Sequence, residues 1–314
     1  MYHYISDHEN TIAVSRDRFA EHCRVLAENG WRGVSLEEAG AFLRDGAFLP
    51  EKSVLLTFDD GYLDNYLHAF PLLHRYGHKG VIFAVANRLE EETVPRVPLA
   101  DVLSGRTAIR DEVNRPIRKN ALGYLVRQDL FCNRGEARAM EESGVMAVAA
   151  HGRGHYGVCR SPEFKNFLRP GNQLRTFFLT EDPHVWGMPA FKVVPGLQNR
   201  AFLPNPDLKK AVADLVPQDY EQADRFFSHP DNVQALRRLV EGFAGRLGRL
   251  ENDEERKERM WREIAWGKKD LEAILGHGLD TLCWPWGACC PEAGALARQA
   301  GFSLFFTVRE GANP

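Results

Sequence analysis

Short apolar runs alternate along the chain with stretches of helical period, and polar residues gather where the apolar runs end. Tyr2 to Ile5 and Trp31 to Val34 predict two short strands, and Ser53 to Phe58 predicts a buried one. Between the first two, Ser15 is placed as an N-cap with Asp17 in the first turn, and Gly30 closes the helix that carries Phe19, Cys23, Val25, Leu26 and Ala27. Ser35 and Glu38 have capping-box spacing ahead of a helix over 36–44. Tyr62 to Tyr76 repeats Leu63, Tyr66, Leu67, Phe70 and Leu73 at helical period, interrupted by Pro71 and ended by Gly77. Gly80 to Val85 then predicts a strand, so strand, helix and strand form a parallel βαβ unit.

The same rhythm continues. Helices are predicted over Asn120 to Asp129 and Gly135 to Ser143, followed by a strand from Gly144 to Ala150. A long helix is predicted from Asn252 to Leu275, with Met260, Ile264, Leu271 and Ile274 on its apolar side and Gly276 and Gly278 stopping it. Thr281 to Gly287 is an apolar strand entering a Pro-aromatic-Gly turn; Pro291 opens a helix ending at Gly301, and Phe302 to Val308 is the last strand. Repeated alternation with polar groups at several strand ends predicts an α/β barrel rather than an open sheet. Residues 157–250 break the rhythm and read as an insertion within a single domain spanning 1–314. Basic and aromatic residues there, among them Arg160, Lys165, Phe167, Arg169 and Arg175, read as a solvated face rather than an anion site.

Composition narrows the class without naming a chemistry. With 314 residues, 44% hydrophobic and 26% charged, the chain can bury a large core, and its net charge of −3 carries no signature of a nucleic-acid partner. No apolar stretch approaches the ~20 residues of a transmembrane helix. Cys23, Cys132, Cys159, Cys283, Cys289 and Cys290 are too few and scattered for a disulfide framework. Met1 to Ile5 lacks the regions of a signal peptide, so a reducing cytoplasm is the expected compartment unless a leader has been lost.

The candidate chemistry lies at strand ends. Asp59 and Asp60 emerge on a glycine turn, where acids serve equally as turn residues or as catalytic groups. His151 and His155 stand four apart, but Gly152 and Gly154 argue against a helix, leaving two imidazoles on one rim or two ordinary loop histidines. His3 and the Trp286 turn complete the set. His68, His74 and His78 do not share a helical face, and no metal role is expected for them.

Thr57-Phe58-Asp59-Asp60-Gly61, His151-x-x-x-His155 and Trp284-Pro285-Trp286-Gly287, in this order, resemble the motifs of polysaccharide deacetylases (carbohydrate esterase family 4). The likeness covers most of the chain outside 157–250. It implies a distorted (β/α) barrel with fewer than eight regular strands. It also implies Asp60, His151 and His155 as metal ligands, Asp59 as general base and the Trp286 backbone N–H as oxyanion donor. Two features depart from the family pattern. The arginine expected shortly before the Pro-aromatic pair is replaced by Leu282, Cys283 and Trp284, and a Leu-x-x-His motif near the C-terminus is absent. Tyr2-His3-x-Ile5, however, resembles the N-terminal Tyr-His of the circularly permuted branch, which includes poly-N-acetylglucosamine deacetylases. That likeness implies His3 as the catalytic acid.

One carboxylate and two imidazoles leave a divalent metal open positions, with zinc expected and cobalt, nickel, manganese or iron also compatible. The implied reaction is removal of N-acetyl groups from an amino-sugar glycan, in which Asp59 takes a proton from water and His3 protonates the amine. Tyr62, Trp284 and Trp286 would face the sugar, although aromatic residues beside a strand also fill cores. Two other functions use the same features: hydrolysis of a formamide or cyclic amide, and glycan binding by an inactive barrel.

Overall fold

Gly80–Ala84 is buried throughout and Met146–Ala150 almost so, the pattern of parallel strands covered on both faces. The computed structural model describes residues 1–7, 12–105, 118–119, 125–126, 130–170 and 185–309. It joins five strands in one parallel sheet: β1 (Leu56–Asp60), β2 (Gly80–Ala84), β3 (Met146–Ala150), β4 (Thr281–Cys283) and β5 (Leu304–Phe306). Their spatial order is β5-β4-β3-β2-β1. Asp59 lies opposite Phe83, Phe83 opposite Ala149, and Leu282 opposite Ala150, so the carboxyl ends of the strands align. The distorted α/β barrel with fewer than eight regular strands is the architecture found.

Alternation along the strands separates two apolar layers. Leu56, Phe58, Ile82, Ala84, Val148, Ala150 and Leu282 join the large core beneath the helices. Val81, Phe83, Ala149 and Cys283 form a small cluster on the other face, with Phe306 against it. The first residues extend the sheet. Tyr2 bridges in parallel to Phe58, giving its N–H to the Thr57 carbonyl at 2.8 Å and accepting the Asp59 N–H at 2.9 Å. Beyond it, Tyr4–Ile5 pairs in parallel with Ala13–Val14.

Asp64 fastens this segment from beneath. Its Oδ2 accepts the Ile5 N–H at 3.0 Å, and Oδ1 accepts from Asn65, whose amide also donates to the His3 carbonyl at 2.8 Å. Burial pushes the Asp64 carboxyl up to about 7. The folded protein therefore keeps a proton there that the unfolded chain releases from about pH 4 upward, so stability falls as pH rises from about 4 to 7. At ~1.4 kcal/mol per pH unit, the expected loss reaches about 4 kcal/mol. Urea unfolding midpoints across that range should show the decline in wild type and a flatter profile in Asp64→Asn; parallel profiles would contradict it.

Several predicted elements need revision. Ser53 to Phe58 is not one strand: Ser53–Val54 pairs with Arg32–Gly33, and β1 starts at Leu56 in a different sheet. The helix after the Asp-Asp turn begins as a π turn, Asn65–Ala69, and becomes α at Phe70–Tyr76, because Pro71 has no N–H for the preceding turn. The helix predicted over Asn120 to Asp129 is contradicted where it is described, since Leu125–Val126 pairs antiparallel with Arg118–Lys119; its other residues lie outside the described ones. The Asn252 to Leu275 helix is three pieces, Asp253–Trp261, a π turn Arg262–Trp266 and Gly267–Leu275. His78 is structural, accepting the Gly33 N–H at Nδ1 and meeting the Cys23 carbonyl at Nε2.

Within 157–250 the parallel rhythm gives way to antiparallel pairs, Gly157–Phe167 with Pro189–Pro195 and Phe202–Pro204 with Gly248–Leu250. Helices Pro206–Leu215, Tyr220–Ser228 and Pro230–Glu241 contribute to a separate apolar cluster with Phe167, Trp186, Phe191, Phe202, Leu208 and Leu236. Among the described residues no helix is long and apolar enough to cross a membrane.

Candidate active site

Adjacent strand residues point to opposite faces, so Asp59 and Asp60 would diverge if β1 stayed regular. They do not. Asp60 has a left-handed φ of 76°, and both carboxylates come within reach of the His151 ring. Among the described residues three non-glycine positions have positive φ: Asp60, His155 (59°) and Trp286 (63°). Each belongs to the set picked out from the sequence. Such conformations cost about 1–3 kcal/mol each and persist where surrounding contacts hold them.

Those contacts are specific. Asp60 Oδ2 accepts the Tyr62 hydroxyl at 3.0 Å, and Oδ1 takes Arg88 Nη1 at 2.9 Å. His151 Nε2 and His155 Nε2 lie 3.9 and 3.8 Å from the same Oδ1. His151 Nδ1 is 2.9 Å from the Cys283 carbonyl, an acceptor only, so the ring proton sits on Nδ1 and Nε2 presents a lone pair. Carboxylate and imidazole atoms of Asp60, His151 and His155 all lie within 4.8 Å of one another, a donor set suited to a divalent cation.

The charge environment divides the two acids. Burial raises the Asp59 carboxyl, as does Asp60, while His151 and His3 oppose them. For Asp60, burial acts in the same direction but is outweighed by Arg88, His155, His151 and His3, leaving it at about 2. His155 is lowered to about 3 by burial and by His151, which keeps its ring neutral and able to ligate. His3 is half-buried beside the acids, near enough for its charge to act on both.

The histidine loop depends on a residue that the sequence reading passed over. Glu263, in the π turn, accepts the His155 N–H at 2.7 Å and the Gly154 N–H at 3.1 Å. Burial pushes its carboxyl up to about 7 against those bonds. At Gly152 (φ 78°) a Cβ would come within 2.5 Å of Glu263 Oε1, so only glycine fits between loop and carboxylate. The signal was present: Glu263 is an acid three residues after Met260, on the apolar side of its helix. Arg88 was also missed, although it follows an apolar strand end; besides Asp60 it covers the Phe131 ring at 5.4 Å.

The aromatic residues separate. Trp284 is 3% exposed and stacks on Phe305 at 5.5 Å within the main core. Tyr62 is likewise buried, sandwiched between Tyr4 and Phe131 at 3.8 and 5.2 Å, with its hydroxyl on Asp60. Trp286 is 39% exposed and lies 5.3 Å from the His155 ring. Of the three, it is the one whose ring is exposed.

A parallel half-barrel with an Asp-Asp pair and two histidines at its strand ends defines the class. The family model for polysaccharide deacetylases matches residues 48–305, and the chain belongs to that family. YxkH of Bacillus subtilis is 40% identical over 89 residues, 28% of this chain and 32% of that protein. The poly-beta-1,6-N-acetyl-D-glucosamine N-deacetylase of Escherichia coli K12 is 27% identical over 148 residues, 47% of this chain. The chain thus spans 32% and 19% of the lengths of these two relatives. The solved de-N-acetylase of Aggregatibacter actinomycetemcomitans superposes with a TM-score of 0.60 at 20% identity, over 98% of this chain and 85% of that one, a likeness of fold.

Proposed function

We propose that the chain is a metal-dependent hydrolase that removes N-acetyl groups from a glucosamine polymer, with 1–314 as one catalytic domain and 157–250 inserted in it. The observation that carries this reading is the convergence of Asp60, His151 and His155 beside the buried Asp59 at the carboxyl ends of the sheet. The name of the Escherichia coli relative supports an N-acetylglucosamine substrate, and Tyr2 pairing beside Phe58, which carries His3 to the acids, supports the circularly permuted branch.

In this reading Asp60, His151 and His155 hold the cation, with zinc first among the metals that fit such a set. When bound, it supplies Lewis-acid charge that polarises the acetamide carbonyl and acidifies water. Asp59 accepts the proton of the attacking water. The Trp286 N–H donates to the developing oxyanion, and His3 gives a proton to the departing nitrogen. Tyr62 and Arg88 keep Asp60 ionised and in place. Trp286 offers its exposed ring to the sugar face.

The test is acetate release from N-acetylglucosamine oligomers by the metal-loaded protein, its loss on chelation and its return with metal. No acetate from the loaded wild type would sink the reading. His3→Ala should lower kcat by about 10²–10⁴-fold, the usual range for a general acid, at unchanged metal content by plasma emission. A kcat equal to wild type would remove His3 from the mechanism.

A further inference from the structure

The thiol of Cys283 takes no part in that reaction, yet it sits among the reacting groups. A carboxylate oxygen of Asp59, a ring nitrogen of His151 and Cys283 Sγ lie within 4.8 Å of one another, and all three residues are buried. Asp59 is 4% exposed, and its Oδ1 has no hydrogen-bond partner among the described residues. A buried carboxylate oxygen without a donor is costly, and a cation relieves that cost.

We propose that Asp59, His151 and Cys283 form a second, inhibitory position for a thiophilic divalent cation such as cadmium or surplus zinc. The inference rests on reading Asp59 as the base. Binding exchanges one bond for another without redox change: the S–H proton leaves to solvent as the sulfur–metal bond forms. Zinc–nitrogen and zinc–sulfur lengths of about 2.0 and 2.3 Å place tetrahedral ligands roughly 3.3–3.7 Å apart, so side chains whose ligand atoms lie within 4.8 Å need close by no more than about 1.5 Å. His151 belongs to both sets. While its Nδ1 stays on the Cys283 carbonyl, only Nε2 is left, so the two positions exclude each other. A cation in the second position withdraws both the base and a ligand of the first. Thiolate favours soft ions, which separates cadmium from manganese.

The experiment uses the full chain in a Cys159→Ser/Cys289→Ser/Cys290→Ser background, because those three thiols are free and partly exposed and would compete for cadmium. Cadmium added to the metal-free protein should give the near-ultraviolet thiolate-to-cadmium band at one equivalent. The band should vanish in Cys283→Ser and persist in His155→Ala, and Asp59→Asn, with its thiol intact, should bind cadmium at least tenfold more weakly. The cadmium concentration that halves manganese-supported acetate release should rise at least tenfold in Cys283→Ser. A band that survives Cys283→Ser, or disappears in His155→Ala, overturns the proposal, as does cadmium sensitivity unchanged by Cys283→Ser. Failure of the deacetylase reading looks different: the wild type then releases no acetate while the band remains.

Discussion

Asp59→Asn is expected to reduce acetate release by about 10²–10⁴-fold, the contribution typical of a general base. The substitution keeps the side chain's shape and leaves the Asp59 N–H on the Tyr2 carbonyl, so the strand end is preserved. It also leaves Asp60, His151 and His155 untouched, and bound metal should stay at the wild-type level. A loss of rate with retained metal separates a proton-transfer role from a ligand role. The pH profile supplies the second check. Burial raises the Asp59 carboxyl and only its ionised form accepts a proton, so wild-type kcat/KM should fall as pH drops through that raised value. Undiminished turnover in Asp59→Asn would rule out the mechanism.

The second large effect concerns Glu263, which touches no substrate. Replacing it with alanine removes the acceptor for the Gly154 and His155 N–H groups in a buried site. Each orphaned donor costs about 1–3 kcal/mol, and His155 loses what holds its left-handed backbone. Outer partners of metal ligands are typically worth 10–100-fold in affinity, so Glu263→Ala should weaken metal binding by about that factor and lower Tm. Glu263→Gln retains an acceptor oxygen and should recover most of the affinity. Calorimetric titration of both variants decides it, and wild-type affinity in Glu263→Ala would reduce the residue to a packing role.

What could be read from the sequence follows from how local each signal is. Gly80–Ala84 and Met146–Ala150 declare themselves as strands because every position is apolar, and the acids and histidines were visible because they follow such runs. The capping boxes at Ser35/Glu38 and Asn133/Glu136 are local too, although only the first was noticed. The break at Leu55 was hidden because both strand pieces are apolar, and their assignment to different sheets is a property of the partners. The burial of Trp284 is hidden in the sequence because an aromatic residue before proline looks the same whether it stacks on Phe305 or on a sugar. Arg88 and Glu263 matter through bonds to Asp60 and to the Gly154–His155 backbone, 28 and about 109 residues away, which no periodicity reports.

A π turn accommodates one residue more than the α turn it interrupts. Glu263 reaches the histidine loop from such a turn, Arg262–Trp266, with regular helix on either side. Removing a single residue there would close the turn into regular α-helix and leave the two flanking helices nearly in register, because the extra residue is absorbed within the turn. The change would fall on the turn itself, from which Glu263 reaches the Gly154 and His155 N–H groups. The support for the candidate metal centre is therefore held by chain length as much as by side-chain identity. It is the kind of feature a lineage acquires or loses by one codon, without any point substitution.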